Sequence, residues 1–461
     1  MKCFLPIFFL FFNSFVGLSQ TTLSGRITSA PDDKVFLMQH KGFDLKKIST
    51  ASIDPLGNFY FTIPRELPII NGFYRIQFND SVFADVVLSP NENIFIKSHA
   101  NKLQDSLKVE NSIENEAFMK MRAMQLQFFD KIKKLQQAYS QIPPNDTSGM
   151  RRRKEIENQY EDWQRSHNTA LDAFSEKWKG TFSGKLAKME KIPLWSDFPQ
   201  YQTQYANVNA FLLDHFFDYV DFSMPELVLG SDIFDKYIVY LEQYPPKTME
   251  GFKKGIDFIL KKTFINPVLY KESVRLLAEN FEIRGPEEIF LYVVDTYTES
   301  CSEEGEFKDV QQGRDKLLSL SVGKIVPDIE LPDTSGISIK LSSILSGHKA
   351  TLLVFWASWC EHCQQLMPQI SYLYRDFKEK GIAVYAVSLD TDKKEWTQFI
   401  KQNRLNWVNV SDFKKWSSPV VIDYFVKKTP QYYLLNADGV ILGKNMSVSK
   451  LQGNLEYLLS H

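Results

Sequence analysis

Cysteine is scarce in this chain, with four among 461 residues. So low a count excludes a disulfide-stapled scaffold of the small secreted kind. An excess of charge of one sign is missing as well: 54 basic against 56 acidic side chains leave a formal net charge of −2. A nucleic-acid binder calls for a basic surface, so this balance argues against nucleic acid as the main partner. After the N-terminus no apolar run is long enough to suggest a membrane span. No phosphate-cradling glycine loop, internal repeat or cluster of metal ligands stands out, and no cofactor or metal is expected.

Hydrophobic content of 44% and charged content of 24% are those of an ordinary globular protein. Aromatic content of 14% is high, and ordinary core packing accounts for it best. The length predicts roughly three domains. Residues 1–19 read as a secretory signal peptide: Lys2 precedes a run of Phe, Leu, Ile and Val, and Gly17-Leu18-Ser19 offers small residues for cleavage. Cys3 sits at the front of that run and is a poor lipid-attachment site. Cleavage would leave Cys301, Cys360 and Cys363, and no transmembrane anchor. The expected location is therefore outside the cytoplasm, in the periplasm or cell envelope, where disulfides form and persist. Cys301 lies in the acidic stretch Thr298–Glu304, which disfavours its thiolate.

Trp359-Cys360-Glu361-His362-Cys363 is the stretch that carries chemistry. It follows Thr351–Trp356, a continuous apolar run of the kind that forms a strand covered on both faces. At the start of the next helix, cysteines three apart lie one turn apart on one face. Such a pair suits reversible disulfide chemistry: one thiolate attacks a partner's disulfide and the second resolves the mixed disulfide. A helix N-terminus, with its partial positive charge and unpaired N–H groups, favours the thiolate. Cys360 is the expected exposed nucleophile and Cys363 the resolving thiol. Protonated His362 would add to the stabilisation and Glu361 would oppose it. A structural zinc site needs about four ligands, and beyond Cys301 and scattered histidines none are on offer. A purely structural disulfide would need neither the strand–helix setting nor the flanking tryptophan.

Residues 322–461 resemble a thioredoxin-fold domain of the TlpA-like thiol:disulfide oxidoreductases, a branch related to AhpC/TSA. The resemblance rests on Val322–Ile329, Asp333-Thr334-Ser335-Gly336, Phe355–Cys360, Met367-Pro368, Ala383–Asp390, Thr429-Pro430 and Tyr432–Gly439. It implies that Pro430 is a cis-proline facing the redox pair, and that Thr429, Pro430 and Trp359 shape the substrate groove. Two positions depart from the family. Val354 stands where relatives often carry a buried acid, and Leu366 replaces a second acid found in some. A peroxidatic Pro-x-x-x-Thr/Ser-x-x-Cys context is absent.

Upstream, residues 20–110 read as an antiparallel β-sandwich. Its strands are expected around Val35–Met38, Asn58–Ile63, Phe73–Phe78 and Asn93–Ile96. From 111 to 300 the period becomes helical. Stripes through Phe118, Met121, Phe128, Ile132, Leu135, Tyr139 and Ile142, then Ile156, Tyr160, Trp163, Leu171, Phe174 and Trp178, predict an antiparallel helical hairpin. Residues 301–321 are charged and read as a linker ending in a short helix. The expected architecture is thus multidomain: β-sandwich, α-helical domain, and α/β thioredoxin fold.

These features together predict an exported thiol–disulfide oxidoreductase acting on the thiols and disulfides of envelope proteins. The family resemblance implies reduction during envelope protein maturation, including cytochrome c maturation, with a membrane or envelope electron donor. Two alternatives differ in kind: a partner-binding or assembly protein with an accessory thioredoxin domain, and a thiol peroxidase.

Overall fold

The computed structural model describes residues 21–41, 44–63, 71–90, 92–143, 146, 149–298 and 307–460. The expected signal peptide and Cys301 lie outside the described residues. The chain divides into two compact units, Met1–Leu276 and Leu277–His461.

Among the described residues the first unit opens with the strands β1 (Thr22–Thr28), β2 (Lys34–Lys41), β3 (Asp44–Ser52), β4 (Asn58–Phe61), β5 (Gly72–Asn79), β6 (Val82–Leu88), β7 (Asn93–His99) and β8 (Lys108–Glu110). They form two four-stranded sheets, ordered β4-β1-β7-β8 and β3-β2-β5-β6. Period-2 alternation sends Leu23, Ile27, Phe59, Phe61, Ile94 and Ile96 of one sheet into a shared core with Val35, Leu37, Ile76, Ala84 and Val86 of the other. All pairs are antiparallel except β1–β7, which run parallel over Thr22–Thr28. The sandwich is thus antiparallel as expected, with this one parallel pair added. The chain leaves β1, passes through the second sheet, and returns in the same direction, which a hairpin connection could not do.

Among the described residues the helices α1 (Ile113–Ser140), α2 (Met150–Lys177), α3 (Phe182–Glu190), α4 (Val208–His215), α5 (Asp232–Gln243) and α6 (Met249–Thr263) follow, and α7 (Pro267–Ile283) runs across the boundary between the units. Ser112 caps α1 by accepting the Asn115 N–H at 3.2 Å. Burial along the α1–α2 hairpin is uneven. Phe118, Met121, Ile156 and Leu171 are buried, whereas Tyr139, Tyr160 and Trp163 are 41%, 38% and 40% exposed. The apolar stripes are therefore only partly covered, because α3 packs on one end of the hairpin.

The second unit carries α8 (Glu287–Tyr297), α9 (Lys308–Ser319), the hairpin β9 (Glu330–Pro332) and β10 (Ser338–Lys340), and α10 (Leu341–Leu345). Then come β11 (Ala350–Trp356), α11 (Glu361–Phe377), β12 (Ile382–Ser388), α12 (Lys393–Gln402) and β13 (Val408–Val410). The fold closes with α13 (Pro419–Asp423), β14 (Gln431–Asn436), β15 (Ile441–Lys444) and α14 (Val448–Ser460). Residues 301–306 of the expected linker lie outside the described residues, and 308–319 are α9. At Gly313 an added Cβ would meet Glu282 Oε1 at 2.4 Å and Phe425 at 2.9 Å, so glycine lets that helix approach closely.

The main sheet has the order β13-β12-β11-β14-β15. β11 pairs parallel with β12 and antiparallel with β14. Every residue of β11 and β12 is buried, as expected of central strands covered on both faces. α11 buries Cys363, Met367, Ile370, Leu373 and Phe377, three or four residues apart, in the same core. The C-terminal domain is a thioredoxin fold, and the end of β11 delivers the Cys-x-x-Cys stretch to the start of α11.

Candidate active site

β11 ends at Trp356, and the turn Ala357–Trp359 leads into α11, with Cys360 at its N-cap. An N-cap residue has extended backbone while its side chain faces the first free N–H groups. Cys360 has that geometry (φ −84°, ψ 115°), and its Sγ accepts the Cys363 N–H at 3.4 Å. On its other side Sγ is 3.3 Å from the Thr429 carbonyl oxygen, and the Thr429–Pro430 peptide is cis. Sequence placed Thr429 and Pro430 some 70 residues from the pair, and the β11–β14 ladder brings them together.

The two thiols sit in opposite environments. Cys360 is 8% exposed and Cys363 0%; both are free thiols. Burial pushes the Cys360 thiol up, but hydrogen bonds with the side chains of Thr429 and Cys363 and from the Cys363 and His362 N–H groups outweigh it and hold the thiol below its ordinary value. Burial first, and then the adjacent Cys360, push Cys363 far above the thiol range. Cys360 is thus less exposed than expected, because the segment carrying the cis bond covers it. His362 and Glu361 lie exposed on the first turn, and the His362 contribution seen at Cys360 comes from its backbone N–H. Val354 is fully buried and Leu366 packs on the core, so neither position offers a proton carrier.

Asp390, just beyond the end of β12, was not singled out from the sequence as a site residue. It is 1% exposed. Its carboxylate accepts the Ser358 N–H at 3.1 Å, the Ser358 hydroxyl at 2.6 Å and the Ser388 hydroxyl at 2.6 Å. Gln364 Nε2 donates to the Ser358 carbonyl at 2.7 Å. The turn that aims Trp359 and Cys360 is therefore clamped at every polar atom of Ser358. Asp390→Ala would leave one N–H and two hydroxyls without this acceptor in a buried site. We expect a loss of about 2–4 kcal/mol, read as a lower urea midpoint; an unchanged midpoint would show that the clamp contributes nothing.

Trp359, 46% exposed, faces solvent beside Trp416, 40% exposed, with ring centroids 6.5 Å apart. Nothing in the spacing of the sequence linked Trp416 to the motif. Among the described residues no group of three or more His, Cys, Asp or Glu could hold a metal ion. A thioredoxin fold with a free cysteine at a helix N-cap, a buried second thiol and a cis-proline peptide beside them has the geometry of a dithiol–disulfide exchange site.

Comparison with known proteins agrees. Residues 322–443 match the AhpC/TSA family. The thiol-disulfide oxidoreductase ResA of Bacillus subtilis is 32% identical over 124 residues, covering 27% of this chain and 66% of that protein. ResA of Oceanobacillus iheyensis is 34% identical over 132 residues, covering 26% of this chain and 67% of that protein. The solved structure of a thiol-disulfide oxidoreductase from Bacteroides fragilis is 32% identical with a TM-score of 0.28, covering 29% of this chain and 99% of that chain. Through its C-terminal domain the chain belongs to the thiol-disulfide oxidoreductases of the AhpC/TSA family.

Proposed function

We propose that the chain is an exported reductant of protein disulfides in the cell envelope. The observation that supports the exchange chemistry most is the asymmetry of the two thiols at the helix N-cap, Cys360 held low beside Thr429 and Cys363 held high by burial; the reducing direction rests on the family resemblance. Cys360 thiolate attacks one sulfur of the partner's disulfide; that S–S bond breaks and the other partner sulfur leaves as a thiolate. Cys363 then gives up its proton and attacks Cys360 Sγ, forming the Cys360–Cys363 disulfide and releasing the second partner thiol. Two electrons pass to the partner, and a membrane or envelope donor must return them. Thr429, Pro430 and Trp359 would form the groove that receives the partner. Residues 1–19 would be the export signal, and maturation of c-type cytochromes is one process that consumes reduced thiols of this kind.

Among the described residues no helix is long and apolar enough to cross a membrane. Equilibration of the full chain with glutathione buffers tests the direction. A potential well below the disulfide-isomerase value of about −180 mV is expected, and one at or above it would exclude a reductant.

A further inference from the structure

The surface beside the nucleophile carries more apolar area than a solvent-facing loop requires. Trp359 and Trp416 are both large and both substantially exposed, meeting edge to face. Exposed tryptophans at one place mark contact surfaces, since indole contributes much binding energy for little lost freedom. Lys415 Nζ lies 5.0 Å above the Trp359 ring, and among the described residues no carboxylate is paired with it. A cation held over an indole beside the reactive thiol is in place to meet an anion.

The backbone that presents these groups is held in an unfavourable shape. Phe413 (φ 57°) and Lys415 (φ 54°) are both in the left-handed region, and neither is glycine. Such conformations persist only where surrounding structure enforces them. Here the Phe413 ring packs edge-on against buried Trp396 at 5.4 Å. Its N–H donates to Ser411 Oγ at 3.1 Å, and Ser411 donates to the Ser388 carbonyl at 2.9 Å. Phe413 is thus anchored inward while Lys415 and Trp416 stay outside. Glu361, the exposed acid next to Cys360 in sequence, disfavours a second carboxylate beside it, whereas Lys415 favours one.

We propose that Trp359, Trp416 and Lys415 form a specificity face for the partner segment flanking the attacked cysteine, and that this segment carries an aromatic side chain beside a carboxylate. This inference rests on the redox reading above and adds the class of substrate. The aromatic group packs against the paired indoles, and the carboxylate meets Lys415. Trp416 and Lys415 take no part in electron transfer, so they act on substrate choice and not on the thiol pair.

Two synthetic peptides test it, one with Phe-Glu and one with Ser-Lys before its cysteine, each disulfide-linked to thionitrobenzoate. Attack by Cys360 and resolution by Cys363 release the peptide thiol and the coloured thiolate, leaving the Cys360–Cys363 disulfide. Reduced full-length chain is expected to turn over the Phe-Glu peptide about tenfold faster than the Ser-Lys peptide. Trp416→Ala should remove most of that preference, and Lys415→Glu should reverse its charge component. Rates with the small neutral 2,2′-dipyridyl disulfide should be unchanged in both variants, which shows that the thiol site is intact. Equal wild-type rates for the two peptides, or variants that slow dipyridyl disulfide equally, overturn the specificity face. A chain that reduces neither peptide nor dipyridyl disulfide overturns the redox reading itself.

Discussion

Cys360→Ser is expected to abolish disulfide reduction, with a loss of about 10³-fold or more, the scale seen when a nucleophile is removed. The substitution is informative because it should leave the fold untouched. Cys360 occupies the N-cap of α11 and accepts the Cys363 N–H through its side chain. Serine is among the best residues for that position, so the helix start is kept or improved. The hydroxyl cannot replace the thiolate as nucleophile, since its proton is held far more tightly. Activity with a disulfide substrate measured beside an unchanged unfolding midpoint separates chemistry from stability. A Cys360→Ser chain that retained its full role in cells would instead favour a partner-binding function for the upstream 300 residues.

Alkylation should separate the two thiols by about 100-fold or more near pH 7, because the thiolate is the reacting species. Hydrogen bonds place Cys360 below the ordinary thiol value despite its burial, while burial lifts Cys363 well above it. The sign follows directly. Lowering the pKa of an acid populates its anion at lower pH, so Cys360 labelling should rise with a midpoint below that of an ordinary thiol. Raising it keeps Cys363 protonated across the accessible range, and its complete burial also blocks the reagent. Peptide mapping after iodoacetamide treatment of the reduced chain should find the label on Cys360 and not on Cys363. In denaturant both cysteines should label at similar rates. Equal labelling in the folded chain, or a Cys360 midpoint above the ordinary value, would contradict this assignment.

The reactive stretch was legible in sequence because its determinants are local. Thr351–Trp356 reads as a buried strand from its unbroken apolar run, and all seven residues of β11 are buried. The three-residue spacing of Cys360 and Cys363 places both at one helix start without any knowledge of the rest of the chain. What surrounds the pair was less legible, because it arrives through tertiary contacts. Asp390 looks like any acid at a strand end until Ser358 is seen donating to it twice. Lys415 and Trp416 lie in a polar-looking stretch whose left-handed backbone no composition rule anticipates.

The same contrast holds upstream. β5 and β7 announce themselves by aromatic and branched residues, whereas β3, with Leu45, Ile48 and Ala51 among lysines, serines and threonine, is weakly apolar and was missed. The α1–α2 pattern identified two helices correctly but overstated their burial. A periodic stripe shows which face is apolar, not whether another element reaches it, and Tyr139 and Trp163 remain exposed.

The central claim is that Cys360 makes the covalent contact with a partner and Cys363 breaks it. Cys363→Ala full-length chain, reduced and mixed with a disulfide-bonded protein such as insulin, should accumulate a mixed disulfide. Mass spectrometry of the adduct should map the bond to Cys360, and added reductant should release it. Absence of any adduct, or an adduct that persists when Cys360 is also replaced by serine, would contradict the account.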